Sequence, residues 1–195
     1  MENLGITKQQ ADALLKKHIT DPVTRLHCIE SEAIMRALAG YFKEDEENWG
    51  IIGLLHDIDW EKTKNDNKNH CILSQEILKE AGASDFLINT VISHGYSNEM
   101  VPALMDRKRS SKIEHLLVAA ETLTGLIFAS ALMQPDKKLA NLELKSLKKK
   151  FKDKKFAARC DRELIKECEM AGIPLDEFLA LGLSALQSIS DELGL

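Results

Sequence analysis

Trp49-Gly50-Ile51-Ile52-Gly53-Leu54-Leu55-His56-Asp57-Ile58-Asp59-Trp60 decides how this chain is read. An apolar run fit for a buried helix ends on a histidine and an aspartate side by side. Burying two such groups unpaired costs several kcal/mol, on the order of 2–7 per group, so something must satisfy them. His27 lies upstream of the dyad, and His70, His94 and Glu121 lie downstream. These six residues are expected to come from five helices and to meet around a metal.

The surrounding sequence reads as helical throughout. Thr7 to Gln10 forms a capping box that opens a helix to His18, and Asp21-Pro22 is an N-cap with proline in the first turn of a helix to Phe42. The acidic stretch from Glu44 to Glu47 opens a third helix that ends at the dyad. Asp59 to Asn69 reads as a polar loop. A fourth helix is expected over 69–81, closed by Gly82, and a fifth over 85–94, closed by Gly95. Val101 to Arg109 is irregular. Ser111 to Glu114 is a second capping box, opening a long apolar helix to Gln134 before Pro135. Two or three further helices follow, broken at Gly172-Ile173-Pro174. No useful strand-like alternation and no internal repeat is present, so the expected class is all-α.

Helical positions three and four apart share a face. His27 falls with Ile34, Leu38 and Phe42, His56 with Trp49 and Ile52, and His70 with Leu73 and Ile77. His94 falls with Leu87 and Val91, and Glu121 with Leu117 and Phe128. A single inward histidine is usually a satisfied core residue. Four of them with two carboxylates are harder to satisfy in pairs, and a shared cation would serve them together. The nitrogen-rich set suits manganese, iron, nickel, cobalt or zinc better than calcium or magnesium alone. One or two divalent metals fit the donor count, with Asp57 as a bridge. Cys28 and Cys71 each follow a proposed ligand; adjacent helical positions diverge by about 100°, so they are expected to be packing residues.

Bulk properties bound the alternatives. The 195 residues suit one domain, or a core over 1–135 with C-terminal helices over 136–195 packing on it. Apolar residues make up 44% and charged residues 29%, an ordinary globular balance. The net charge of −5 argues against a general nucleic-acid or acidic-membrane binder. No uninterrupted apolar run approaches a membrane span, no basic leader precedes an apolar stretch, and the four cysteines form no CxxC pair. A cytoplasmic setting with free thiols is the expectation.

Seven lysines crowd eleven positions from Lys145 to Lys155. Leu144, Leu147 and Phe151 share a face there, so the default reading is an amphipathic helix with a solvated basic side. The functional reading is a positive rim in which Lys149, Lys152 and Lys154 attract a phosphorylated substrate. Nucleic acid ranks last, because the aromatics fit the core stripe better than a stacking platform. The apolar face from Leu175 to Ile189 suits core cover or a homodimer surface.

The order His27, His56-Asp57, His70, His94, Glu121 resembles the HD-domain metal-dependent phosphohydrolase superfamily. The local text matches in the dyad segment, in His70-Cys71-Ile72-Leu73-Ser74-Gln75-Glu76-Ile77-Leu78, in Ile92-Ser93-His94-Gly95 and in Ala119-Ala120-Glu121-Thr122-Leu123-Thr124-Gly125. The resemblance spans about residues 20 to 130. It implies an HD-domain-like helical bundle with a C-terminal extension. It also implies hydrolysis of a nucleotide or other small phosphate ester by a metal-activated water. His27, His56, Asp57 and Glu121 would hold the first metal, and His70 and His94 a second, with His56 and Asp57 at the catalytic centre. One of Asp59, Glu61 and Asp66 would orient a ligand or accept a proton, while each taken singly reads as part of a solvated polar loop. Two departures stand out. Glu121 replaces the usual aspartate, moving the carboxylate by about 1.5 Å, one carbon–carbon bond. Gly95 replaces the second histidine of a paired element found in one phosphodiesterase branch. A catalytically inert binding or regulatory module on the same scaffold is the alternative function.

Overall fold

The structure, a computed structural model, describes residues 2–195. It is all-α, 68% helical, with no strands among the described residues. The first helices run α1 Lys8–His18, α2 Pro22–Phe42 and α3 Glu46–Leu55, followed by the single turn α4 Trp60–Thr63. Then come α5 Ile72–Glu80, α6 Asp85–Ile92 and α7 Lys112–Leu132. The C-terminal part holds α8 Leu144–Lys152, α9 Arg162–Met170, α10 Leu175–Ser188 and the last turn, α11 Ser190–Leu193.

The expected starts are present. Thr7 and Gln10 form a reciprocal capping box on α1, Asp21 caps α2 through the Val23 amide, and Ser111 and Glu114 form a capping box on α7. The core is built where α2 lies against α3, α7 and α10. In α3 every residue from Trp49 to Leu55 is buried, so this short helix is enclosed on all sides. Its closest approach is at Gly53, where a Cβ would lie 2.6 Å from the Ser31 carbonyl oxygen of α2. Helix α7 is long and apolar enough to cross a membrane by composition, but it is a core helix, with Leu116 to Ala120 fully enclosed.

Helices α9 and α10 pack on α7 and α2. Phe178, Leu179, Leu183 and Leu186 of α10 are buried within the chain. Helix α8 has Leu147 and Phe151 buried and its lysines outward, the amphipathic arrangement expected of the lysine run. Lys154 and Lys155 lie in the turn beyond its end.

Candidate metal centre

Three of the proposed ligands sit at helix ends, and two of them, His70 and His94, lie outside α-helical backbone, which corrects the expectation that they sit on helical stripes. His56 is the residue immediately after α3. His70 precedes α5 in an extended conformation (φ −60°, ψ 140°), and Cys71 takes a left-handed φ of 65° before the helix begins. His94 lies in a 3₁₀ turn, Ser93–Gly95, after α6. His56 keeps helical dihedrals (φ −57°, ψ −39°) and so extends the α3 face, whereas His70 lies in extended backbone before α5 and His94 in a 3₁₀ turn, where helical periodicity does not aim the side chain. His27 on α2 and Glu121 on α7 are helical as expected.

The tertiary fold brings the four imidazoles into two pairs. His27 Nε2 and His56 Nε2 are 3.0 Å apart, and His70 Nε2 and His94 Nε2 are 3.1 Å apart. The opposite nitrogen of each ring is already engaged. His56 Nδ1 donates to the Gly53 carbonyl at 2.8 Å, and His94 Nδ1 donates to the Val91 carbonyl at 2.6 Å. His70 Nδ1 lies 2.9 Å from Asp59 Oδ1. His27 Nδ1 lies 2.9 Å from Thr124 Oγ1, whose own proton goes to the Glu121 carbonyl at 2.7 Å. All four Nδ1 atoms therefore donate, which leaves the two Nε2 atoms of each pair facing one another. Two lone pairs at 3 Å repel unless a proton or a cation lies between them.

Asp57 joins the pairs. Its Oδ2 is 3.6 Å from His56 Nε2 and 3.7 Å from His27 Nε2, while its Oδ1 is 3.4 Å from both His70 Nε2 and His94 Nε2. One carboxylate oxygen thus faces each imidazole pair. Glu121 is more distant, with Oε2 at 4.0 Å from His27 Nε2 and Oε1 accepting from Thr122 at 2.7 Å.

The titration behaviour follows from this crowding. Burial lowers the pKa of His56 to about 3, so its ring stays neutral. Burial also works against charge on His70 and His94. On His70 the Asp59 hydrogen bond, Cys71 and Asp57 outweigh it and raise the pKa to about 10. On His94 the neighbouring Cys71 and Asp57 do the same, well above the ordinary value. Burial alone would keep Asp57 protonated, but the surrounding imidazoles hold its carboxylate well below the usual range. For Glu121 burial wins and raises the pKa.

This donor set fits divalent cations. A cation between each pair would satisfy both Nε2 lone pairs and one Asp57 oxygen together, and imidazole with carboxylate suits first-row transition metals. The supports around the donors are those a ligand cluster needs. Asp59 is fully buried and accepts from both His70 Nδ1 and the Ser74 amide, so of the three acidic residues after the dyad it is the orienting one. Glu61 instead bonds the Thr20 backbone and hydroxyl, and Asp66 accepts from Asn69.

Sequence reasoning missed several participants. Cys71 is buried with its Sγ 3.5 Å from His94 Nε2, close enough to group with His70 and His94 as a donor and not merely to pack. No helical spacing could show this, because Cys71 is not in a helix. Thr124 and the Gly53 and Val91 carbonyls, which fix three of the rings, also carried no sequence signal.

A cavity of about 350 Å³ opens onto Asp57, His70, His94 and Glu121. Trp60 stands edge-on to His70 on its wall, with ring centroids 5.0 Å apart. Lys149 and Lys152 do not line this cavity. They border a separate open groove with Lys145 and Lys148, and Lys154 borders neither. The arginine or lysine that does line the cavity is Arg159.

The fold and the paired donors define an all-α domain built around a histidine–carboxylate cluster. The HD-domain family model matches residues 24–162, and the chain belongs to that family. The match runs beyond α7 through the lysine helix to Arg162. No curated protein and no solved structure matches the chain.

Proposed function

We propose that this chain is a metal-dependent phosphohydrolase that cleaves a small phosphate ester with a metal-activated water. The observation that carries this reading is the pair of imidazole–imidazole contacts at 3.0 and 3.1 Å, with one Asp57 oxygen facing each. His27, His56 and Asp57 Oδ2, with Glu121 beside them, would hold one cation; His70, His94 and Asp57 Oδ1 would hold the other. Such a cation supplies hydroxide near neutral pH and offsets charge on the phosphoryl oxygens. The chain's own groups set the donors in place. Asp59, Thr124 and the Gly53 and Val91 carbonyls fix each ring with Nε2 inward. Asp57, held ionised, would be the carboxylate common to both imidazole pairs. The ester's organic part would rest in the cavity against Trp60.

The test is elemental analysis of protein purified without chelator, beside His56→Ala, followed by phosphate release from a panel of esters. One or two transition metals per chain, depleted in His56→Ala, with metal-dependent release of phosphate, is the expected result. No bound metal after loading with manganese, iron or nickel would refute it. The greater distance of Glu121 favours a second reading, a scaffold that binds a ligand without turnover. Metal binding without hydrolysis of any ester would support that one.

A further inference from the structure

Arg159 differs from every other arginine in the chain. Arg25, Arg36, Arg107, Arg109 and Arg162 each hydrogen-bond to the protein. Arg159 has no hydrogen bond and no ion pair among the described residues, and it stands exposed where the cavity opens. The turn that carries it is well anchored. Buried Arg162 donates to the carbonyls of Phe151, Phe156, Ala157 and Cys160, drawing the segment before α9 around one guanidinium. The backbone at 159 is thus fixed while its side chain is uncommitted. A planar guanidinium on a prepared loop at the mouth of a cavity suits bidentate pairing with a phosphoryl group.

The other walls limit the rest of the ligand. Beyond the metal donors and Arg159 the lining is apolar or neutral: Trp60, Met100, Val101 and Leu164, with Asn67 and Asn98. Asn67 Oδ1 is buried without a hydrogen-bond partner. A di- or triphosphate chain brings extra anionic oxygens, and these walls offer no further cation to meet them. We infer that Arg159 binds the phosphoryl group of a phosphomonoester, and that the substrate is a monophosphate with an uncharged organic part. This rests on the phosphohydrolase reading and narrows its substrate class.

The experiment uses the full chain loaded with manganese, as wild type, Arg159→Ala, Arg159→Lys and Lys149→Ala. Binding of inorganic phosphate is measured by calorimetry, and kcat and KM on a nucleoside monophosphate and its triphosphate. Loss of one charge-assisted pair predicts about a ten- to hundredfold weaker phosphate affinity and higher KM in Arg159→Ala. Metal content and Tm should be unchanged, Arg159→Lys should restore part of the affinity, and kcat/KM should favour the monophosphate. Unchanged phosphate affinity and KM in an active Arg159→Ala would overturn the inference and leave the hydrolase reading intact. A preference for the triphosphate, or a larger loss from Lys149→Ala, would also overturn it. No hydrolysis by the wild type, with phosphate binding still lost in Arg159→Ala, would sink the hydrolase reading while keeping Arg159 as the anion-binding residue.

Discussion

Asp59→Asn isolates how the second imidazole pair is held. Both groups that Asp59 accepts from are donors: His70 Nδ1–H at 2.9 Å and the Ser74 amide at 3.1 Å. An asparagine has one oxygen and one NH2, so it can serve one of them and must turn N–H toward the other. The lost charge-assisted bond is worth about 1.5–3 kcal/mol, and a buried donor left unmet costs about 1–3 kcal/mol. His70 can escape by changing tautomer or rotating, and either move takes its Nε2 lone pair away from His94. Loss of a group that orients a ligand weakens metal affinity by about 10- to 100-fold, or about 1.4–2.8 kcal/mol. His27 and His56 have no contact with Asp59, since their rings are fixed by Thr124 and Gly53. Titration of the chelator-treated protein with cobalt or manganese, followed calorimetrically, should therefore resolve two sites in the wild type. In Asp59→Asn the weaker site should move by that factor and the other by less than about threefold. Equal weakening of both sites, or of neither, would refute the assignment of Asp59 to the His70–His94 pair.

Other substitutions probe the frame. Gly53→Ala places a methyl group 2.6 Å from the Ser31 carbonyl, backbone that cannot yield without separating α2 from α3. We expect a loss of about 2–4 kcal/mol in denaturant unfolding, with weakened metal binding because His56 follows this helix. Glu30 is buried in α2 with no hydrogen bond or ion pair among the described residues, and burial raises its pKa from 4.5 to about 8. A raised folded-state value means that stability is fully present below about pH 4.5 and is lost as the pH climbs toward 8. The ceiling is about 5 kcal/mol, and relaxation around the ionised group should reduce it to about 2–4. Glu30→Gln should match the wild type near pH 4 and exceed it in stability at pH 8. Parallel stability curves for the two proteins across that range would refute the account of Glu30.

The helices and their starts were legible in the sequence because caps and apolar periodicity are local. Thr7, Asp21 and Ser111 each satisfy amides two or three residues away, whatever the rest of the chain does. The ligand types were legible too, since four histidines and two carboxylates in that order resemble one family. The basis for placing them inside was less secure. His70 precedes its helix in extended backbone and His94 follows its helix in a 3₁₀ turn, so local turns rather than stripes aim these two. Cys71 beside His94 depends on one left-handed residue that no periodicity reveals.

Sequence by itself determined the all-α class, the family and the histidine and carboxylate candidates, though not Cys71, because these depend on residue type and short-range order. Tertiary structure alone decided the division into two imidazole pairs, the place of Asp57 between them and the choice of Asp59 over Glu61 and Asp66. It also put Arg159, and none of the clustered lysines, on the cavity wall. Each of these is a contact between segments far apart in the chain. Their distances follow from how α2, α3 and α7 pack and from the turns that lead into α5 and α9, and no local pattern encodes that packing.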